Sequence, residues 1–347
     1  MKTIALTGIR RLKMMEVPLP VIRHGDDVLI KMGAVGVCGS DIHYYTTGRI
    51  GSQVVRYPFT VGHECAGTVV KTGRTVRNLK VGDRVAIEPA MSCSTCDQCK
   101  SGRPHTCRSL AFLGCPGQAE GCLSEFIVMP AECCFKISAP RLSFAEATLA
   151  EPLAIGIYAV KTSIPLSKAS RIAILGAGPI GLSVLAAAKA AGAGPVHVTD
   201  KITARLWMAK KMGAAWTGNP RGSDVVKAIL RRSPRGMDVV FECCGQQDAL
   251  DQGIELLKPG GKLMVVGIPE VERVSFSADK IRRREICIQN VRRQAHCTQA
   301  ALSMIEKKPG CVRPMITHVF PFSETRRAFD LVAGYRDGVV KAAIVFE

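Results

Sequence analysis

The chain has 347 residues, 47% hydrophobic and 22% charged, which suits two domains of ordinary size and excludes a small disulfide-stapled module or a disordered chain. Lysine and arginine outnumber aspartate and glutamate by 47 to 29, a net charge of +18 that would draw anionic partners such as nucleic acid, acidic lipid or an anionic substrate. The only dense basic groups are Arg231–Arg232 with Arg235, Arg282–Arg284 and Arg292–Arg293; without interleaved aromatics they argue against a nucleic-acid surface.

The N-terminal run from Met1 to Gly8 turns basic without an apolar core of signal-peptide length, so export is not expected. The longest apolar region, from Ile172 to Val198, is interrupted by glycines, Pro179 and Lys189, which suits a buried strand and helix rather than a membrane span. With no export signal, 15 cysteines point to a reducing, cytoplasmic setting in which thiols bind metal, pack or react.

In chain order, residues 2 to about 80 read as short strands between Gly and Pro turns, among them Asp27–Met32 and Gly67–Lys71. The segment from Glu88 to Gly121 is rich in Cys, Pro, Gly and Ser and has little periodicity, so something other than a core must fix it. It carries Cys93, Cys96, Cys99 and Cys107. Four thiolates at that spacing can close a tetrahedron around zinc with no open position, a structural role; disulfides compete with this reading but suit the reducing setting poorly.

From Ala145 to Thr162 the composition becomes Ala-rich and helical, with Pro152 marking a helix start and a domain boundary. Strand and helix then alternate: Arg171–Leu175, a helix over Pro179–Ala191, Pro195–Thr199, a helix over Thr203–Lys211, Met237–Phe241 and Gly261–Gly267. That order implies a parallel sheet with crossover helices. Glu285–Ile288 is a further strand candidate, and a closing strand at Ala342–Phe346 suggests that the chain returns to its first domain.

The loop Gly176-Ala177-Gly178-Pro179-Ile180-Gly181 sits at a strand-to-helix turn. There the glycines admit a tight turn and close approach of a pyrophosphate to a helix N-terminus. The next strand ends at Asp200, placed to meet the adenosine ribose hydroxyls and to favour NAD over NADP, while Arg205 could pair with Asp200 or reach a 2′-phosphate. Cys243, Val266 and Gly267, at the ends of later strands, are expected to line the same coenzyme cleft. Cys38, His63, Glu64 and Glu151 form a second set of possible ligands, but one too dispersed for spacing to show that they meet.

The strings VCGSD at Val37–Asp41, GHE at Gly62–Glu64, the four-cysteine segment, Glu151-Pro152 and GAGPIG run in that order over nearly the whole chain. Together they resemble the zinc-dependent medium-chain dehydrogenases. Val37–Tyr44, Gly48–Gly51 and Ala86–Pro89 look like the sorbitol (L-iditol) dehydrogenase branch.

The resemblance implies an α/β protein: a GroES-like β-rich catalytic domain over residues 1–151 and 289–347, and a Rossmann NAD-binding domain, a doubly wound parallel sheet, over residues 152–288. It implies a catalytic zinc at Cys38, His63 and Glu64, with Glu151 on the zinc or its water. Ser40 becomes the candidate proton exit, and His43 either a relay or an exposed loop histidine. Tyr44, Phe112 and Cys115 become pocket residues, and Arg293 matches a substrate-side arginine. Arg292 stands where the branch tends to carry an aromatic, and a guanidinium there suits a carboxylate.

The leading expectation is therefore zinc- and NAD-dependent oxidation of a polyol's secondary alcohol to a ketose, by a homotetramer or dimer joined through edge strands of the coenzyme domain. Oxidation of a sugar acid such as an aldonate, or of L-threonine, is the rival within the class. A zinc-stabilised basic module binding nucleic acid without catalysis is the rival outside it.

Overall fold

The computed structural model describes residues 1–347, which divide into two compact units: residues 1–151 with 298–347, and residues 152–297. The helix Ala150–Lys161 runs through the first crossing. Pro152 is tolerated in its first turn because an N–H there has no intrahelical acceptor. The second crossing falls at Cys297/Thr298 rather than after residue 288. The segment leaving the strand Cys287–Asn290 stays with the sheet, Val291 N donating to Val265 O at 2.8 Å, and Ala295 and Cys297 are buried.

The first unit is built on a seven-stranded sheet whose path runs Cys134–Lys136, Arg84–Ile87, Glu64–Thr72, Asp27–Gly36, Lys341–Val345 and Ile316–Pro321, with Phe126–Pro130 also pairing Asp27–Gly36. The central strand Asp27–Gly36 buries Val28, Ile30, Met32 and Val35, and each fully buried side chain of this kind contributes about 1.5–3 kcal/mol. A core including Leu6, Val69, Ile87, Met129, Phe329 and Ile344 packs around it. The segment between Glu88 and Gly121 holds only short pieces, such as the helix Asp97–Lys100 and the strand Ala111–Phe112.

Register sets the chemistry. Gly36 pairs with Glu64 on one side and Ala343 on the other, so the strand from the C-terminal part of the chain brings Lys341 to Glu64. The Lys341 ammonium donates to both carboxylate oxygens, at 2.7 and 2.6 Å, and to Val37 O at 3.1 Å. Both side chains are only 1% exposed. Gly36 makes room, since a Cβ there would stand 2.3 Å from Glu64 Oε2.

The second unit is a six-stranded sheet, all neighbours parallel, in the order Trp216–Gly218, Val196–Thr199, Ile172–Leu175, Met237–Glu242, Leu257–Val265 and Cys287–Asn290. In sequence order this is 3-2-1-4-5-6, the doubly wound dinucleotide-binding arrangement, whose switch point lies between the first and fourth strands. At the N-terminal ends of these strands Asp238 accepts from Arg171 N and Nε at 2.7 and 3.1 Å and from Lys258 Nζ at 2.6 Å. No helix in either unit is long and apolar enough to cross a membrane.

Burial alone would raise the Asp238 carboxyl, but hydrogen bonds from Arg171 and Lys258 hold it well below the usual range. A depressed carboxyl stabilises the fold above its unfolded pKa and loses that effect as pH falls. Asp238→Asn should therefore be less stable than the native chain at pH 7 in urea unfolding, with the gap beginning to close below about pH 4 and shrinking further as pH falls toward the depressed folded-state value. Lys341→Met should lower the unfolding free energy by roughly 3–5 kcal/mol, because it strands the Glu64 charge, and adding Glu64→Gln should recover part of that loss.

Candidate metal centres and coenzyme loop

Cys38 immediately precedes the helix Gly39–Thr47, and Asp41 in that helix's first turn turns back on it. Asp41 Oδ2 accepts from Cys38 N at 3.0 Å, Oδ1 accepts from Gly62 N at 3.1 Å, and His63 Nδ1 lies 3.4 Å from Oδ1. One buried carboxylate thus fixes both segments and the imidazole ring, as partners behind metal-ligating histidines do. Burial opposes charge on His63, but Asp41 and Cys38 outweigh it and raise its pKa well above the usual value.

The ligand atoms of Cys38, His63 and Glu64 all lie within 4.8 Å of one another. Glu151 is buried beside them, and its Oε2 has no hydrogen-bond partner. Burial pushes its carboxyl up to about 8; Glu64 and Glu88 push the same way, while His63 and Lys341 oppose them. A thiol, an imidazole and two buried carboxyls, one with an orphaned oxygen, form a donor set that fits a divalent cation with an open position.

Tyr44 Oη donates to Gln53 Oε1 at 3.1 Å, Gln53 Nε2 reaches Cys115 Sγ at 2.9 Å, and the Phe112 ring stands 5.3 Å from His63. Gln53, which had no signal in the sequence, thus links Tyr44 to Cys115, and Cys115 N donates in turn to Phe112 O at 3.1 Å. Ser40 lies half-buried in the first turn of the same helix. Arg292, exposed, and Arg293, half-buried with φ +49°, both belong to the second unit.

The four-cysteine lobe is closed. Cys93–Cys107, Cys96–Cys99 and Cys96–Cys107 have Sγ separations of 3.4, 3.6 and 3.9 Å, and all four thiols lie within 4.8 Å of one another. A disulfide needs sulfurs about 2.05 Å apart, whereas Zn–S bonds of about 2.3 Å in a tetrahedron place them about 3.8 Å apart. The separations match zinc. Hydrogen bonds led by that from Thr95 lower the Cys93 thiol toward the thiolate that binds metal.

In the second unit Gly176 takes φ +104°, and a Cβ on Gly181 would stand 1.8 Å from Gly176 O, so both positions require glycine. Above Gly178 the nearest atom to a built Cβ is Arg205 Nη1 at 3.5 Å. An open cradle is left at the N-terminus of the helix Pro179–Ala190, and Pro179 and Ile180 form its first turn. This is the surface that a pyrophosphate needs. Cys243, Val266 and Gly267 follow the adjacent strands, with Cys243 N donating to Leu175 O at 2.8 Å.

Asp200 serves the loop in a way its position in the sequence did not reveal. Its two oxygens accept from Ala177 N and Ile202 N, each at 2.7 Å, so it braces the glycine turn besides presenting charge at the end of its strand. Arg205 lies over Gly178.

Comparison with known proteins agrees with both units. Residues 24–139 match the alcohol dehydrogenase GroES-like domain and residues 179–307 the zinc-binding dehydrogenase domain. The chain is 38% identical to a sorbitol dehydrogenase of Bacillus subtilis over 345 residues, 99% of this chain and 97% of that protein. It is 34% identical to an L-idonate 5-dehydrogenase of Vitis vinifera over 324 residues, 92% and 87% of the two chains. A protein of Sinorhizobium meliloti described as a zinc-binding dehydrogenase and solved with NADP superposes with a TM-score of 0.89 at 30% identity, covering 99% of this chain and 98% of its own. With a GroES-like domain, a parallel coenzyme sheet and full-length likeness all in hand, this chain belongs to the zinc-dependent medium-chain alcohol dehydrogenases, as an oxidoreductase of the sorbitol dehydrogenase-like branch.

Proposed function

We propose that the chain oxidises a secondary alcohol of a polyol to a ketose, reversibly, with NAD as the hydride acceptor and zinc at Cys38 and His63 with the Glu64 and Glu151 carboxyls. The convergence of Cys38, His63 and Glu64 within 4.8 Å is the observation that carries this reading; the sorbitol dehydrogenase relative supplies the substrate class. Zinc, when bound, supplies Lewis acidity that lets an alcohol lose its proton near neutral pH.

The remaining work belongs to side chains. Asp41 holds His63 and the Cys38 backbone in place before substrate arrives, so reorganisation during reaction is small. Ser40 takes the alcohol proton toward solvent, and Tyr44, Phe112 and Cys115 line the pocket, with Gln53 holding Tyr44 and Cys115 in register. Arg293 serves the substrate. In the second unit the glycine loop seats the pyrophosphate at a helix N-terminus, Arg205 adds positive charge there, and Asp200 disfavours a 2′-phosphate. Cys93, Cys96, Cys99 and Cys107 hold a second, structural zinc.

A sugar acid is the second reading, favoured by the exposed Arg292 and by the L-idonate 5-dehydrogenase relative. The protein works as a homo-oligomer in a reducing, cytoplasmic compartment, consistent with 15 free cysteines. The strand Cys287–Asn290 ends its sheet, and pairing it with a second copy would cover an otherwise open edge.

NADH formation is expected with sorbitol, xylitol or L-iditol and should vanish after chelation and return with zinc; absence of turnover with every polyol would refute the reading. Turnover confined to aldonates and diminished in Arg292→Phe would select the sugar-acid reading. Light scattering should give a whole multiple of 37.3 kDa above one, and a monomer would contradict the edge-strand assembly.

A further inference from the structure

Glu242 closes the strand Met237–Glu242 in the middle of the coenzyme sheet and is fully buried. Nothing in the catalytic reading uses it. Burying a carboxylate at a position where an apolar side chain would serve is costly unless its charge is put to use.

Four backbone donors converge on this residue. Its carbonyl oxygen accepts from Val266 N at 2.8 Å and Gly267 N at 3.0 Å. Its Oε1 accepts from Cys244 N at 2.7 Å and Gly245 N at 2.6 Å. These donors belong to the two turns that follow adjacent parallel strands, at the carboxyl-end rim where dinucleotides bind in this fold.

The fit leaves little freedom. Gly245 takes φ +70°, which glycine adopts without strain. A Cβ on Gly267 would stand 2.3 Å from Gly245 N, 2.8 Å from Glu242 Oε2 and 2.9 Å from Cys244 N. Oε2 itself is buried without a hydrogen-bond partner. The carboxylate therefore braces one turn directly and stands against the other.

We infer that Glu242 is a positioning residue for the coenzyme: its carboxylate fixes the Cys244–Gly245 rim turn, against which Gly267 packs, before the dinucleotide arrives, so that binding does not have to order it. The inference rests on the coenzyme reading above. Rigid turns of this kind raise affinity by removing an ordering cost on binding rather than by adding a contact.

The test is NADH affinity, read by the coenzyme's fluorescence on full-length, zinc-loaded protein, together with hydrogen exchange at the Cys244 and Gly245 amides. Glu242→Ala should weaken NADH binding by about tenfold, near the worth of one hydrogen bond, and should speed exchange at those two amides. The KM for NAD should rise while the KM for the alcohol stays constant. Glu242→Gln keeps an acceptor oxygen and should retain most of the affinity. Should Glu242→Ala fail to fold, Glu242→Asp, whose shorter arm withdraws the acceptor, is expected to show the same loosening.

A folded Glu242→Ala or Glu242→Asp protein with native NADH affinity would overturn the inference, even if its melting temperature fell, because that is the signature of a merely structural residue. Equal loss in Glu242→Gln would also overturn it. Absence of NADH binding by the native chain would refute the coenzyme reading instead, so the two failures are distinguishable.

Discussion

The ion pair between Lys341 and Glu64 is the constraint on which the first unit depends. It joins the final strand to the strand that follows His63, and its third donor contact reaches Val37, next to Cys38. With both partners 1% exposed, neither can turn to water if the other is lost, so the geometry of the pair and that of the metal-ligand cluster stand or fall together. The strand order that places the C-terminal strand beside Asp27–Gly36 is what makes this contact possible.

The same device recurs on a smaller scale. Asp41 gathers the N–H groups of Cys38 and Gly62, Asp200 those of Ala177 and Ile202, and Glu242 those of Cys244 and Gly245. In each case one carboxylate accepts two main-chain donors, from a single turn at Glu242 and from two separate segments at Asp41 and Asp200, and each of these places carries a candidate functional group. Turns lack the ladder hydrogen bonds that fix strands and helices, and an ionised acceptor makes stronger bonds than a neutral one. Acidic side chains thus hold rigid the places where secondary structure stops.

How much of this could be read from the sequence depended on the distance along the chain over which each interaction acts. The four cysteines and the glycine loop are local, and their spacing carries their chemistry; the parallel sheet followed from alternating strands and helices. The strand Trp216–Gly218, three residues long, is too short to show a period of its own. The pairing of Glu64 with Lys341 spans 277 positions, and nothing in either local string announces it. Asp41 was visible as part of a motif but not as the brace of His63. Gln53 looks ordinary in sequence, and Glu242 is legible only as part of the strand end expected to line the coenzyme cleft, because the meaning of both lies in which atoms surround them. The return to the first unit at residue 298 rather than 289 had the same cause: loop residues with no period of their own remain attached to the sheet they leave.

X-ray absorption at the zinc edge tests the central claim most directly, because it reports ligand type without reference to substrate. The account predicts two zinc ions per chain, one surrounded by four sulfurs and the other by a single sulfur with nitrogen and oxygen neighbours. Substitution of Cys38 should remove the mixed signal and leave the all-sulfur one. A single all-sulfur zinc in the native, active enzyme would contradict the assignment of Cys38, His63 and the neighbouring carboxyls as the catalytic centre.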